Sequence, residues 1–251
     1  TIPRKTVDPA VPFVNSLRPR PTLSASAIKW LAIGCMLIDH IAWAFVPMPS
    51  AMGLGLHLIG RVTAPCMCFF IAEGYAHTRS VSKYALRLGL FALLSWPCFS
   101  YFETGQFFTP HFGMIFSLFF ALLAVMACDR LRNPIASGLA VAACCLPTLF
   151  GDWKIFAVLF AVAAWYSGQN FRKLALSFSV LNVAHLFLSA EMQPVYLVMN
   201  CGVWLALIPL SFYSGARGGA MHPVLDKWFF YFFYPVHLLL LGWLRYGMAV
   251  N

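Results

Sequence analysis

A helix needs roughly 20 mostly apolar residues to cross the hydrocarbon core of a bilayer. From residue 27 onward the chain offers such stretches one after another, set apart by Pro, Gly and small clusters of charge. Nine can be marked, at about 27–46, 54–78, 83–102, 111–128, 134–150, 153–167, 171–189, 194–213 and 227–249. The fifth and sixth are the shortest. The predicted fold class is therefore all-α: a polytopic transmembrane helix bundle of about nine spans. The first 22 residues differ from everything after them. They are polar and carry Pro3, Pro9, Pro12, Pro19 and Pro21, unlike the apolar stretch of a cleavable signal peptide.

Charge orients the bundle. Arg4, Lys5, Arg18, Arg20 and Lys29 precede or open the first stretch. Arg79, Lys83 and Arg87 surround the second connection, Arg130 and Arg132 the fourth, Arg172 and Lys173 the sixth, and Arg217 and Lys227 the eighth. The odd-numbered connections hold Glu103, Asp152 and Glu191, with Lys154 as their basic exception. Fourteen of the 17 Lys and Arg residues thus fall on one side. By the positive-inside rule that side is cytoplasmic, which puts the N-terminus inside and the C-terminus outside. The expected organisation is a Pro-rich tail over 1–26 and one membrane domain over 27–251, without an internal repeat of the inverted-transporter type.

Composition agrees. Hydrophobic residues make up 61% and charged residues 10% of 251, with a mean hydropathy of +0.77. Soluble domains carry about 25% charged residues, so a soluble enzyme, a disordered chain and a nucleic-acid-binding domain are excluded as readings. The eight cysteines lie inside apolar runs, and neither Cys66/Cys68 nor Cys144/Cys145 has metal-ligand spacing. We expect neither a disulfide framework nor a bound metal.

Ionisable groups inside a span cost about 2.5–3.5 kcal/mol each on insertion scales and so point to a polar interior. Asp39 and His40 lie in Leu37-Ile38-Asp39-His40-Ile41, beyond the middle of the first span. Helix neighbours do not face each other, so Asp39 should not orient His40 directly, and one of them should meet a partner on another helix. The pair either locks packing or supplies a general base, a role that suits a histidine. Arg61, in Gly60-Arg61-Val62-Thr63-Ala64-Pro65, lies at similar depth, and Asp39 is its expected ion-pair partner. Glu73 and His77 share one helix face, as do Lys83 and Arg87. With Arg79 they form either ordinary cytoplasmic charges or a rim for anionic head groups. His111 opens the fourth span on the outer side. Tyr234 and His237 share a face across a kink expected at Pro235. His185 reads as a packing residue, and His57 and His222 fall in connections with no assigned role.

The order of these elements resembles the TraX family of polytopic inner-membrane proteins, named for the F-pilin N-acetylase of conjugative plasmids. The resemblance rests on Asp39-His40, on Gly60-Arg61, on Glu73-Gly74-Tyr75-Ala76-His77-Thr78-Arg79 and on Tyr234-Pro235-Val236-His237, and it covers about residues 25–245. His111-Phe112-Gly113-Met114 and Gly151-Asp152-Trp153 depart from the family's usual mid-chain runs, which bears on substrate choice. The resemblance implies an integral acetyltransferase of the bacterial inner membrane. Acetyl would pass from cytoplasmic acetyl-CoA to an acceptor reached from outside, such as a pilin N-terminal amine or a surface glycan. His40 would be the base, with Asp39 and Arg61 beside it. Arg79, Lys83, Arg87, Glu73 and His77 would hold the CoA, and His111, Tyr234 and His237 would line the acceptor cavity. The competing readings are a transporter and a non-catalytic pilus or conjugation assembly factor.

Overall fold

The structure, a computed structural model, describes residues 22–48, 50–190, 194–218 and 223–247. Most of the predicted tail, Glu191, His222 and the C-terminal end lie outside the described residues. Within them the chain is helical, and its only extended pairings are two isolated bridges, Leu23 with Tyr213 and Phe112 with Gly151.

The elements are α1 Ala25–Phe45, α2 Ala51–Gly60, α3 Thr63–His77, α4 Val81–Thr104, α5 Met114–Arg130, α6 Pro134–Thr148, α7 Lys154–Ser167, α8 Phe171–Ala190, α9 Pro194–Asn200, α10 Leu207–Ser211 and α11 Pro223–Gly242. A 3-10 segment, Cys201–Ala206, joins α9 to α10, and a π turn, Trp243–Gly247, follows α11. Local chemistry sets several ends. Ser24, Ser50 and Ser80 each accept a backbone N–H from the first turn of α1, α2 and α4, as N-cap hydroxyls do. Gly105 ends α4 at φ 73°, where a side chain would be strained.

Two predicted spans are not single helices. The stretch 54–78 divides into α2 and α3 at Arg61–Val62. Pro65 explains the break: it has no N–H for the Arg61 carbonyl four residues back, and its ring crowds that carbonyl. The stretch 194–213 is likewise composite, running from α9 through the 3-10 segment to α10. Among the described residues, four segments are long and apolar enough to cross a membrane: α1, α2 with α3 taken together, α4, and Phe171–Leu188 of α8.

Helices α3, α5 and α7 pack as the centre of the bundle. Ala121, Ala124, Ala157 and Ala161 are fully buried there. Such small side chains let helices approach closely where lipid supplies no hydrophobic drive. Outward, α4 shows Leu86, Leu90, Leu93 and Leu94, α6 shows Ile135 and Leu139, and α8 shows Leu176, Val180 and Phe187. An apolar exterior this extensive is a lipid-facing surface. Helix α1 packs on α3, α2 on α1 and the α9–α10 segment, and α11 on α4 and α1; polar residues of α1, α2 and α11 collect where these meet.

Candidate functional site

The break at Pro65 leaves Arg61 at the C-terminal cap of α2, facing the interior beside α1. Gly60 makes the approach possible, because a Cβ there would fall on the Asp39 side chain. Thr63 Oγ1 donates to the Ala32 carbonyl at 2.8 Å and pins the start of α3 to α1. Asp39, His40, Gly60, Arg61 and Thr63 thereby line one small chamber of about 30 Å³, closed by Met36, Met114, Asp152, Trp153 and Tyr234.

The partners differ from those expected. Asp39 Oδ1 accepts from Nδ1 of the fully buried His57 at 2.8 Å. Arg61 makes no ion pair among the described residues. Its Nη2 lies 3.4 Å from Met199 Sδ, and its guanidinium lies 5.4 Å from the centre of the Trp153 ring. The predicted Asp39–Arg61 pair is thus replaced by Asp39–His57. The helical spacing carried the signal, since His57 and Arg61 are four apart and share a face of α2. His40, as expected, turns away from Asp39. Its Nδ1 is 2.8 Å from Nε2 of His237 on α11.

Two further groups complete the chamber. Tyr234 Oη accepts the Met114 N–H at 3.0 Å, and the absent side chain of Gly113 leaves room for that hydroxyl. Asp152 comes from the turn between α6 and α7. Its N–H donates to the Phe112 carbonyl at 2.8 Å, and its carbonyl accepts from Ser117 Oγ at 2.7 Å. Trp153 and Lys154 follow at φ 64° and 45°. Left-handed backbone costs about 1–3 kcal/mol at non-glycine residues and clusters at functional sites. Nothing in the local spacing marks Asp152; a long-range backbone pairing brings it in.

Met36, Thr63, Met114 and Tyr234 also line a second, far larger cavity of about 640 Å³. It runs towards the N-terminal end of α1, where Lys29, His77, Arg87 and Arg217 lie on its wall. The Ser26 N–H donates to the Arg217 carbonyl at 3.1 Å, which draws that residue to the start of α1. Arg87 Nε donates to Tyr231 Oη at 2.8 Å, and Lys29 Nζ lies 5.0 Å from the centre of the Phe70 ring.

The predicted residues therefore divide. Asp39, His40, Arg61 and Tyr234 meet at the chamber, and His237 supports His40. Arg87, His77 and Glu73 line the wide cavity, where Glu73 Oε1 accepts from Tyr213 Oη at 2.8 Å. Arg79 and Lys83 are exposed and line neither cavity. His111 is exposed as well, 3.3 Å from Thr109 Oγ1, and stands apart from the chamber. His185 packs against Phe156 and Trp153. Lys29 and Arg217, which the sequence pattern did not assign to a site, complete the basic wall. Lys29 was legible, since 29, 33, 36 and 40 form one stripe along α1; Arg217 carries no periodic signal.

Stripe, break and paired histidines define a helical membrane protein with a buried polar chamber. The chain belongs to the TraX protein family, whose sequence profile matches residues 24–245. It is 33% identical over 233 residues to a probable fimbrial assembly protein FimC, serogroup H1, of Dichelobacter nodosus, covering 87% of this chain and 94% of that one. No solved structure gives a significant match.

Proposed function

We propose that this protein is an acyl-CoA-dependent acetyltransferase of the bacterial inner membrane. One observation carries the reading: a wide cavity with Lys29, Arg87 and Arg217 on its wall shares Met36, Thr63, Met114 and Tyr234 with the chamber that His40 lines. Lys29 and His40 are eleven residues apart on α1, about 16 Å at a rise of about 1.5 Å per residue. An extended pantetheine arm is long enough for that distance. Lys29, Arg87 and Arg217 suit the phosphates, because cationic side chains hold such groups by charge-assisted hydrogen bonds. The chamber itself is of the order of a small acyl group in size.

In this reading His40 takes the proton of the acceptor amine or hydroxyl as the new bond to the acetyl carbon forms. It returns that proton to the CoA sulfur as the carbon–sulfur bond breaks. Arg61 and Asp39 supply fixed charge beside the developing oxyanion and the histidine. The basic wall would face the cytoplasm and the acceptor would arrive from the opposite side, with nine crossings and the N-terminus inside. The fimbrial relative and the family favour a pilin subunit as acceptor, with a surface glycan as the alternative.

The test is CoA release by purified, reconstituted protein given acetyl-CoA and candidate pilin or glycan acceptors. Free CoA should accumulate in step with acetylated product. Acceptor movement without CoA release would favour a transporter, and pilus assembly unaffected by His40→Ala would favour a non-catalytic assembly factor. Accessibility tags at residues 105, 191 and 251 should all report outside.

A further inference from the structure

His40 has two ring nitrogens, and a general base needs one of them free and unprotonated. The hydrogen bonds around it decide which. Nδ1 of His237 lies 2.7 Å from the carbonyl oxygen of Phe233. A carbonyl only accepts, so Nδ1 of His237 carries a hydrogen. In the neutral ring Nε2 of His237 is then an acceptor. That atom is 2.8 Å from Nδ1 of His40, which must therefore carry the hydrogen between them. Nε2 of His40 is left as the lone-pair nitrogen, without a hydrogen bond from the described residues.

We propose that His237 is a positioning residue that fixes His40 as its Nδ1–H tautomer and so presents Nε2 to the chamber as the base. The inference rests on the acyl-transfer reading for its consequence, though not for its geometry. Packing holds the arrangement in place. The His237 ring stacks on Phe233, with centroids 4.7 Å apart at 14°, and meets the His40 ring edge to edge and near coplanar, with centroids 5.0 Å apart at 23°. Both histidines are buried, at 8% and 6% exposure, so water does not compete freely for these nitrogens. His237 does not itself line the chamber. Its action on the reaction passes through His40.

The tautomer can be read without any turnover. In protein carrying ¹⁵N-labelled histidine in nanodiscs, nitrogen shifts distinguish a protonated Nδ1 from a protonated Nε2, and the His40 signals are those absent from His40→Ala. His40 should be Nδ1–H in the wild type and in His237→Gln, whose amide oxygen can accept near the lost Nε2. In His237→Leu the Nδ1–H form should no longer dominate. In the CoA-release assay, kcat of His237→Leu should fall about 10- to 100-fold with KM for acetyl-CoA within twofold. His237→Gln should recover to within several-fold of wild type. An Nε2–H His40 in the wild type would overturn the proposal. So would a glutamine variant no better than leucine, or wild-type kcat in a folded His237→Leu. A wild-type protein that releases no CoA but shows the Nδ1–H tautomer would remove the acyl-transfer reading and leave the positioning intact.

Discussion

The two cavities that meet at Met36, Thr63, Met114 and Tyr234 are built on opposite terms. In the wide one, Lys29 and Arg87 rest on aromatic rings and a phenol, and the walls leave room for a large flexible guest. In the chamber, Asp39, His40 and Tyr234 are each tied to a named partner on another segment, and Gly60 and Gly113 let those segments close. Cations without an acidic partner among the described residues suit binding, where an anionic guest supplies it. Fixed, desolvated groups suit chemistry, because preorganised dipoles need no reorientation as charge develops. Changes in the chamber should therefore be felt in turnover or folding, and changes in the wide cavity in affinity.

The largest effect should come from the chamber. His40→Ala should lower kcat for acetyl transfer by about 10²–10⁴-fold, the usual contribution of general acid–base catalysis, while KM for acetyl-CoA stays within twofold. Stopped and timed CoA release over a range of acetyl-CoA concentrations separates the two constants. Wild-type turnover in a folded His40→Ala protein would return His40 to a packing role. Next in size, Gly60→Ala should destabilise the fold by about 1–3 kcal/mol, the cost of forcing atoms into a filled interior. Thermal unfolding in detergent reads this directly. An unchanged midpoint would mean that α1 and α2 can part here without penalty.

How far the sequence foretold this contrast depends on whether a residue's partner is local. The apolar stretches were legible because each reports its own burial, and Asp39, His40 and Arg61 were legible because charge in such a stretch is costly. The interruption at Arg61–Val62 was also written locally, in Pro65, though it takes the hydrogen-bond register to see it. Pairings were a different matter. Depth alone favoured Asp39 with Arg61, yet the chain places His57 against Asp39 and aims Arg61 at Trp153. Depth fixes one coordinate, and the rotation of each helix fixes the other. Asp152 and Arg217 come from connections whose backbone is held by distant segments, Phe112 in one case and Ser26 in the other. No periodicity reaches them.

A moderate effect is expected at the mouth of the wide cavity. Arg87→Gln should raise KM for acetyl-CoA about fivefold to tenfold, near 1 kcal/mol by the usual conversion, with kcat little changed. Part of that loss should vanish at high salt, because charge at a mouth open to water is screened over about 8–10 Å at ordinary ionic strength. A fall in kcat with KM unmoved would mean that Arg87 serves the chamber through Tyr231 and that the division between the two cavities is drawn in the wrong place.

The smallest effect is the sharpest check on placement. Arg79 and Lys83 belong to the same basic run as Arg87, and counting charges along the chain assigns all three to phosphate binding. The structure separates them: Arg79 and Lys83 are exposed, and only Arg87 reaches the cavity wall. An exposed cation acts on a bound phosphate only through water and salt, where its pull is weak. The double variant Arg79→Ala/Lys83→Ala should therefore change KM for acetyl-CoA by less than about twofold at physiological salt. Isothermal titration of acetyl-CoA against both variants at low and high salt makes the comparison. A double variant as impaired as Arg87→Gln would show that the phosphates sit outside the cavity, at the surface run. Lys29 and Arg217 would then lose their place in the site. A double variant that binds normally would confine the anionic end of the donor to the wall formed by Lys29, Arg87 and Arg217.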